Sequence, residues 1–314
     1  MLINNYNQKV CVLVGAGASS FCGKDSVSPY LPPLGNELFD KLISYSDYYN
    51  QLPEKAKNFF KKNDSFEEGF LKLIENLTPI KSMVDLAKYF LQFNISSIEN
   101  NHYCKLFEIL SSKNIQPFLV SLNYEMLAET AASQNYIVQY ILNENQIAPS
   151  SDRLHVLKLH GGSNFLPSIK ENYNLRVRKM GELNIDSLTV HDRLKSIDIL
   201  NRNNDYYIPL MSFYTFGKKF MVKVQGNDMH DFFVKKYDSI INWCEKIIII
   251  GVHYNESDSH IWEVIQNSNK KICIINPDYM NYPVKIRKKT ILNIKTFEEC
   301  ISKKEKAFCD FLDC

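Results

Sequence analysis

The chain has 314 residues, with 37 Lys and Arg against 35 Asp and Glu for a formal net charge of +2, and 45% of its residues are hydrophobic. That balance argues against a protein built around a broad basic nucleic-acid-binding face, and the apolar content excludes a disordered chain. The eight cysteines, at positions 11, 22, 104, 244, 273, 300, 309 and 314, contain no C-x-x-C pair, so neither a zinc knuckle nor a redox motif is expected. Cys11 and Cys273 fall inside apolar runs, and a chain of this length builds a core without disulfide staples. The expectation is reduced thiols in a cytoplasmic protein. The polar start lacks the apolar segment of a signal peptide, and the apolar stretches Val10–Ala18 and Ile247–Val252 fall far short of the roughly 20 residues of a membrane span.

In chain order, the first element is Val10-Cys11-Val12-Leu13-Val14, a continuous apolar run suited to a strand covered on both faces. Similar runs follow at Pro117–Leu122, Leu154–Leu159, Lys246–Gly251 and Lys271–Ile275, with a weaker one at Thr290–Ile294. The pattern predicts an α/β fold, a doubly wound Rossmann-like parallel sheet with a helical insertion. The insertion spans about residues 35–115, where Leu38, Leu42 and Tyr45, then Phe70, Leu73 and Leu77, recur at helical spacing. Ser65 and Glu68 form a capping-box pattern there, and Met83–Phe93 and Ile98–Leu110 continue the helices. Asn143–Arg153 reads as a loop, and a second insertion of mixed character covers about 165–228. The whole chain, 1–314, is expected to be one sheet domain carrying these two insertions.

Five predicted strand ends carry chemistry. Gly15-Ala16-Gly17-Ala18-Ser19 follows the first strand, where glycines let a backbone approach a phosphate and amides can donate to it. Position 20 is Ser instead of the third Gly of the dehydrogenase fingerprint, which leaves a tight turn without ligand as the bland alternative. Asn123 ends the second strand and offers an amide to orient water or a ribose hydroxyl, against an ordinary role as helix cap or turn residue. His160, followed by Gly161 and Gly162, ends the third and can exchange a proton near neutral pH, although a lone strand-end histidine is often structural. His155 reads as a buried histidine. Gly251-Val252-His253 forms a turn, with Ser257 or Asp258 as cap of the next helix, and Asn276 ends the following strand. Converging on one sheet edge, these groups describe a nucleotide crevice.

Gly15–Ser19, Asn123, His160-Gly161, Gly251 and Asn276, in this order and at strand ends, resemble the sirtuin (silent information regulator) family. The resemblance is closest to its bacterial branch of NAD-consuming antiviral defence effectors. It covers Val10 to about Ile294 at motif level and leaves out the two insertions. It implies NAD as substrate, held by Gly15, Ala16, Gly17, Ala18, Ser19, Gly251, His253 and Asn276, with Asn123 and His160 as the catalytic pair. Departures accompany the matches. The structural zinc of the deacetylases has no cysteine pairs here, so no zinc is expected; Glu125 stands where Asp is usual; and His253 occupies a position commonly serine. The segment Tyr30-Leu31-Pro32-Pro33-Leu34-Gly35 is similar to the Pro-Leu-Gly loops of defence-type members.

The activity so implied is NAD hydrolysis to nicotinamide and ADP-ribose, in an abortive-infection antiphage effector that depletes cellular NAD. The alternatives are an NAD-dependent protein deacylase or ADP-ribosyltransferase, and a non-catalytic NAD or ADP-ribose sensor. Because free NAD destruction poisons its own cell, a homo-oligomer or a regulatory partner is expected, by resemblance an ATPase or an Argonaute-like protein.

Overall fold

The computed structural model describes residues 6–61, 66–76, 79–143, 153–168, 183–185, 187–202, 209–212, 222–224 and 227–313. Seven strands form the central sheet: β1 (Gln8–Val14), β2 (Ile115–Ser121), β3 (Ile137–Tyr140), β4 (Arg153–Lys158), β5 (Lys246–Ile250), β6 (Lys271–Ile275) and β7 (Thr290–Ile294). All neighbouring pairs are parallel, in the spatial order β7-β6-β5-β1-β2-β4-β3. The chain therefore builds outward on one side of β1 and then crosses to the other, placing a topological switch point between β1 and β5. This is a doubly wound α/β sheet, as the apolar runs predicted. The edge strand β3 was not anticipated. Its sequence Ile-Val-Gln-Tyr is short, and its residues are exposed or half-buried, so it lacks the continuous apolar signature of the central strands.

The two-residue period of the strands divides the core. Val10, Val12 and Val14 with Ile248 and Ile250 pack on one face, while Cys11, Leu13, Ile247 and Ile249 pack on the other. The first face is covered largely by helices between β1 and β2: α1 (Ala16–Ser20), α2 (Gly35–Tyr45), α3 (Asp47–Asn50), α4 (Glu54–Lys61), α5 (Phe66–Asn76), α6 (Pro79–Leu91) and α7 (His102–Ser112). Stacked Phe39 and Phe60, with ring centroids 3.9 Å apart, join α2 to α4. The last of these helices starts later than the periodicity suggested. Asn101 caps it by accepting from the amides of Tyr103 and Cys104, so Ile98 lies outside it. Ser65, and with it the capping box, lies outside the described residues, as do Leu77 and positions 144–152 of the predicted loop.

After β2 come α8 (Leu127–Ala132) and, beyond β4, α9 (Arg193–Asn201). The described parts of 165–228 also include short strands at Phe165–Ser168, Leu183–Ile185 and Ser187–Val190. On the second face lie α10 (Met229–Trp243), α11 (Ser259–Asn267) and α12 (Val284–Lys289); α13 (Phe297–Ile301) and α14 (Glu305–Asp313) return to the first. Among the described residues no helix is long and apolar enough to cross a membrane.

Candidate active site

The carboxyl ends of β1, β2, β4, β5, β6 and β7 open into one cavity of about 810 Å³, a size typical of small-molecule sites. All ten residues singled out in the sequence line it: Gly15, Ala16, Gly17, Ala18, Ser19, Asn123, His160, Gly251, His253 and Asn276. The register explains the convergence. Val14 is paired with Ile250 on one side and Ser121 on the other, so the residues that follow each strand leave the sheet at the same level.

The Gly15–Ser19 loop owes its shape to β5. Gly15 N–H donates to the Ile250 carbonyl, Gly17 N–H to the Gly251 carbonyl and Ala18 N–H to the Gly15 carbonyl, each at 2.9–3.0 Å. These three amides close the loop, so they are not phosphate donors as the sequence suggested. The glycines serve close approach: Gly251 sits at φ +59°, and a Cβ there would lie 2.0 Å from the Ala18 nitrogen.

Asn123 is buried, and its side chain ties two loops together instead of capping a helix. Its amide nitrogen donates to the Gly15 carbonyl at 3.1 Å and to Ser19 Oγ at 3.0 Å. With both hydrogens committed, Oδ1 is the atom left for a ligand. Ser19 continues into a buried polar network the sequence reading did not foresee. Its hydroxyl donates to Glu125 Oε1 at 2.6 Å and meets the Tyr103 hydroxyl at 2.9 Å. Glu125 Oε2 in turn accepts from Leu127 N–H at 2.5 Å, at the start of α8. Burial raises the Glu125 pKa above the usual carboxylate range, against the opposing pull of Lys158. Lys158 is fully buried, donating to Glu129 Oε1 at 2.7 Å and to the Glu125 carbonyl at 2.5 Å. The sequence signal for this network was the chemistry itself, a lysine and two glutamates beside apolar strand ends, which must pair if buried.

His160 is buried at the end of β4. The chain turns there through Gly161 at φ +72°, and Ser212 N–H donates to the His160 carbonyl at 2.9 Å. His160 Nε2 lies 3.9 Å from Asp258 Oδ1, and His160, Asp258 and His260 bring donor atoms within 4.8 Å of one another. Asp258 stands at the N-cap of α11, but its side chain does not cap that helix. Of the two caps the sequence offered, Asp258 occupies the position without using its side chain for it.

Two further candidates, His253 and Asn276, line the same cavity. His253 stands at the rim with its side chain 68% exposed, 3.7 Å from Asp278. Asn276 is buried and spends its side chain on the protein: it donates to the Val252 carbonyl at 2.7 Å and accepts from Asp278 N–H at 2.7 Å. These bonds join the β5 and β6 loops. His155 is buried as read, stacked on Phe118. Pro32, Pro33, Leu34, Leu38, Phe66 and Phe90 add apolar surface to the lining.

No protein-family model matches the chain, and no curated protein matches its sequence. Among solved structures, one from work on the mechanism and regulation of Sir2 enzymes matches over 99% of this chain and 95% of that one, with a TM-score of 0.50 and 12% identity. The fold is that of the Sir2 enzymes. A Sir2 homologue solved as an NAD complex matches over 99% of this chain and 92% of its own at 17% identity, with a TM-score of 0.43. Within the Sir2 fold, the cavity of this chain occupies the switch-point crevice where doubly wound sheets bind ligands.

Proposed function

We propose that this chain binds NAD in the switch-point cavity and hydrolyses the bond between nicotinamide and ribose C1′. The observation that carries the reading is the placement of Asn123 and His160 on adjacent strand ends of one cavity, with Asn123 fixed to both Gly15 and Ser19. The choice of ligand rests on the resemblance of Gly15–Ser19, Asn123, His160 and Asn276 to the NAD-consuming sirtuins.

In this scheme nicotinamide leaves as a neutral group and the ribose gains positive character at C1′. Asn123, with its hydrogens committed, presents the partially negative Oδ1 to the ribose or to the attacking water. His160 accepts the proton as a water oxygen bonds to C1′, and ADP-ribose and nicotinamide result. The rest of the dinucleotide, held along the β1 and β5 loops, supplies binding energy that orients the reacting bond.

The same reading makes the protein a suicidal antiphage effector that empties the cell of NAD. It is held in check by self-association or a partner protein. NAD-dependent deacylation or ADP-ribosyl transfer is the second reading, and the apolar surface of Leu34, Leu38, Phe66 and Phe90 favours it by offering space to an acyl chain. Purified protein incubated with NAD, alone and then with an acylated peptide, separates the two. Hydrolysis releases nicotinamide in both incubations, whereas a deacylase releases it only with the peptide.

A further inference from the structure

Asp258 has two features that a helix cap does not explain. An aspartate in its position ordinarily turns its carboxylate to the first amides of the helix. Here it makes no such bond, and the buried side chain reaches toward His160 Nε2 at 3.9 Å instead. Both partners are set by backbone. Asp258 N–H donates to the Asn255 carbonyl at 3.1 Å within the turn Glu256–Asp258, and His160 is held through Ser212.

We propose that Asp258 is the positioning residue of His160, favouring the imidazole proton on Nε2, the nitrogen that faces its carboxylate. This rests on the reading of His160 as the base. The distance is one of an ion pair, longer than a hydrogen bond, and contacts of this kind tighten when substrate closes the site. A carboxylate facing Nε2 holds the proton there in the neutral ring and stabilises the imidazolium once Nδ1 is protonated. Burial strengthens the attraction by limiting solvent screening.

Other ionisable groups lie near the pair. The His260 ring lies 6.4 Å from that of His160, and the His230 ring packs 5.0 Å from His260. Tyr124, which also lines the cavity, has its phenol pushed well up by burial, with Glu67 and Asp258 adding to the effect. Protonation of His260 would oppose a second charge on His160, and Asp258 is the anion that offsets it.

The test uses the full chain labelled with ¹⁵N-histidine, with His160 assigned among the seven histidines by loss of its signals in His160→Gln. In wild type the neutral ring should carry its proton on Nε2. Asp258→Asn should lower the pH at which His160 titrates, and Asp258→Glu should restore it in part. With NAD, Asp258→Asn should lower kcat by about 10²-fold, the lower end of what a general base contributes, and leave KM within about twofold. The spectra also report whether each variant is folded. An unchanged tautomer and titration in Asp258→Asn would overturn the proposal. So would activity abolished by EDTA and restored by Zn²⁺, because the two imidazoles and the carboxylate would then serve a metal. If the tautomer responds but wild type cleaves no NAD, the positioning role stands and the catalytic reading falls. Cleavage without any response to Asp258→Asn has the opposite meaning.

Discussion

The Asn123 side chain donates to the carbonyl of Gly15 at 3.1 Å, joining the end of β2 to the loop after β1. The bond makes Asn123 part of the scaffold and of the proposed chemistry together. Asn123→Ala should lower NAD cleavage by about 10²-fold or more, comparable to loss of a preorganised polar group in other enzymes. It should also lower unfolding stability by about 1–3 kcal/mol, because the buried Gly15 carbonyl loses this donor. Steady-state kinetics and urea unfolding of one protein sample check both.

Gly251 and Gly35 make a paired test of the glycine seam. Gly251 adopts φ +59° and packs against Gly17 and Ala18, whereas a Cβ on Gly35 meets nothing within 4 Å. Gly251→Ala should destabilise by more than about 2 kcal/mol, from left-handed strain and the clash together, and should weaken NAD binding. Gly35→Ala should leave stability within about 1 kcal/mol of wild type or raise it, since it lies at the start of α2. Denaturation midpoints of the two variants check this.

The buried ion pair should respond strongly to loss of one member. Lys158→Met leaves Glu129 buried without the ammonium 2.7 Å away, and should cost about 3–5 kcal/mol. The double variant Lys158→Met with Glu129→Leu should recover much of that loss. Urea titrations of the two single variants and the double variant form the cycle that measures the coupling.

Glu125 predicts a pH dependence of definite sign. Burial raises its folded pKa above its unfolded value, so near and above pH 4.5 the folded state binds more protons than the unfolded state. Its contribution to stability is therefore greatest below the unfolded pKa and falls as pH rises through the folded one. The stability of wild type minus that of Glu125→Gln should decline over this interval. A difference that grew with pH would show the carboxylate to be the favoured buried form.

Six of the seven described cysteines should be nearly silent in the native protein. Burial pushes the Cys22 and Cys244 thiols up to about 12 and Cys104 to about 11, while Cys309 is the least buried of the described thiols. A chromogenic thiol reagent at pH 8 should modify Cys309 first among the described seven, and the rest only on unfolding.

Legibility in the sequence followed the physics of each element. The central strands were readable because a parallel strand covered on both faces is apolar without interruption, as in Lys246–Ile250 with its four consecutive isoleucines. β3 was not, because an edge strand needs no such run. All ten candidate residues fell into one cavity because glycines, amides and imidazoles at strand ends carry information about where the ligand edge lies. What each side chain does there depended on partners distant in sequence. The commitment of Asn276 to Val252 and the approach of Asp258 to His160 arise from packing between strand-end loops, and neither leaves a local pattern.

NAD cleavage by Asn123 and His160 in this cavity can be measured outright. Its most direct test is chromatographic measurement of nicotinamide and ADP-ribose formed from NAD by the purified wild type, Asn123→Ala and His160→Ala. Because restraint by assembly is part of the account, the assay spans a range of protein concentrations and is repeated in lysate of phage-infected cells. Wild type should form equal amounts of both products in at least one of these conditions, and each variant should lose at least about 10²-fold while folding is retained. Wild-type turnover that persists in both variants, or NAD left intact by wild type in every condition, would contradict this reading.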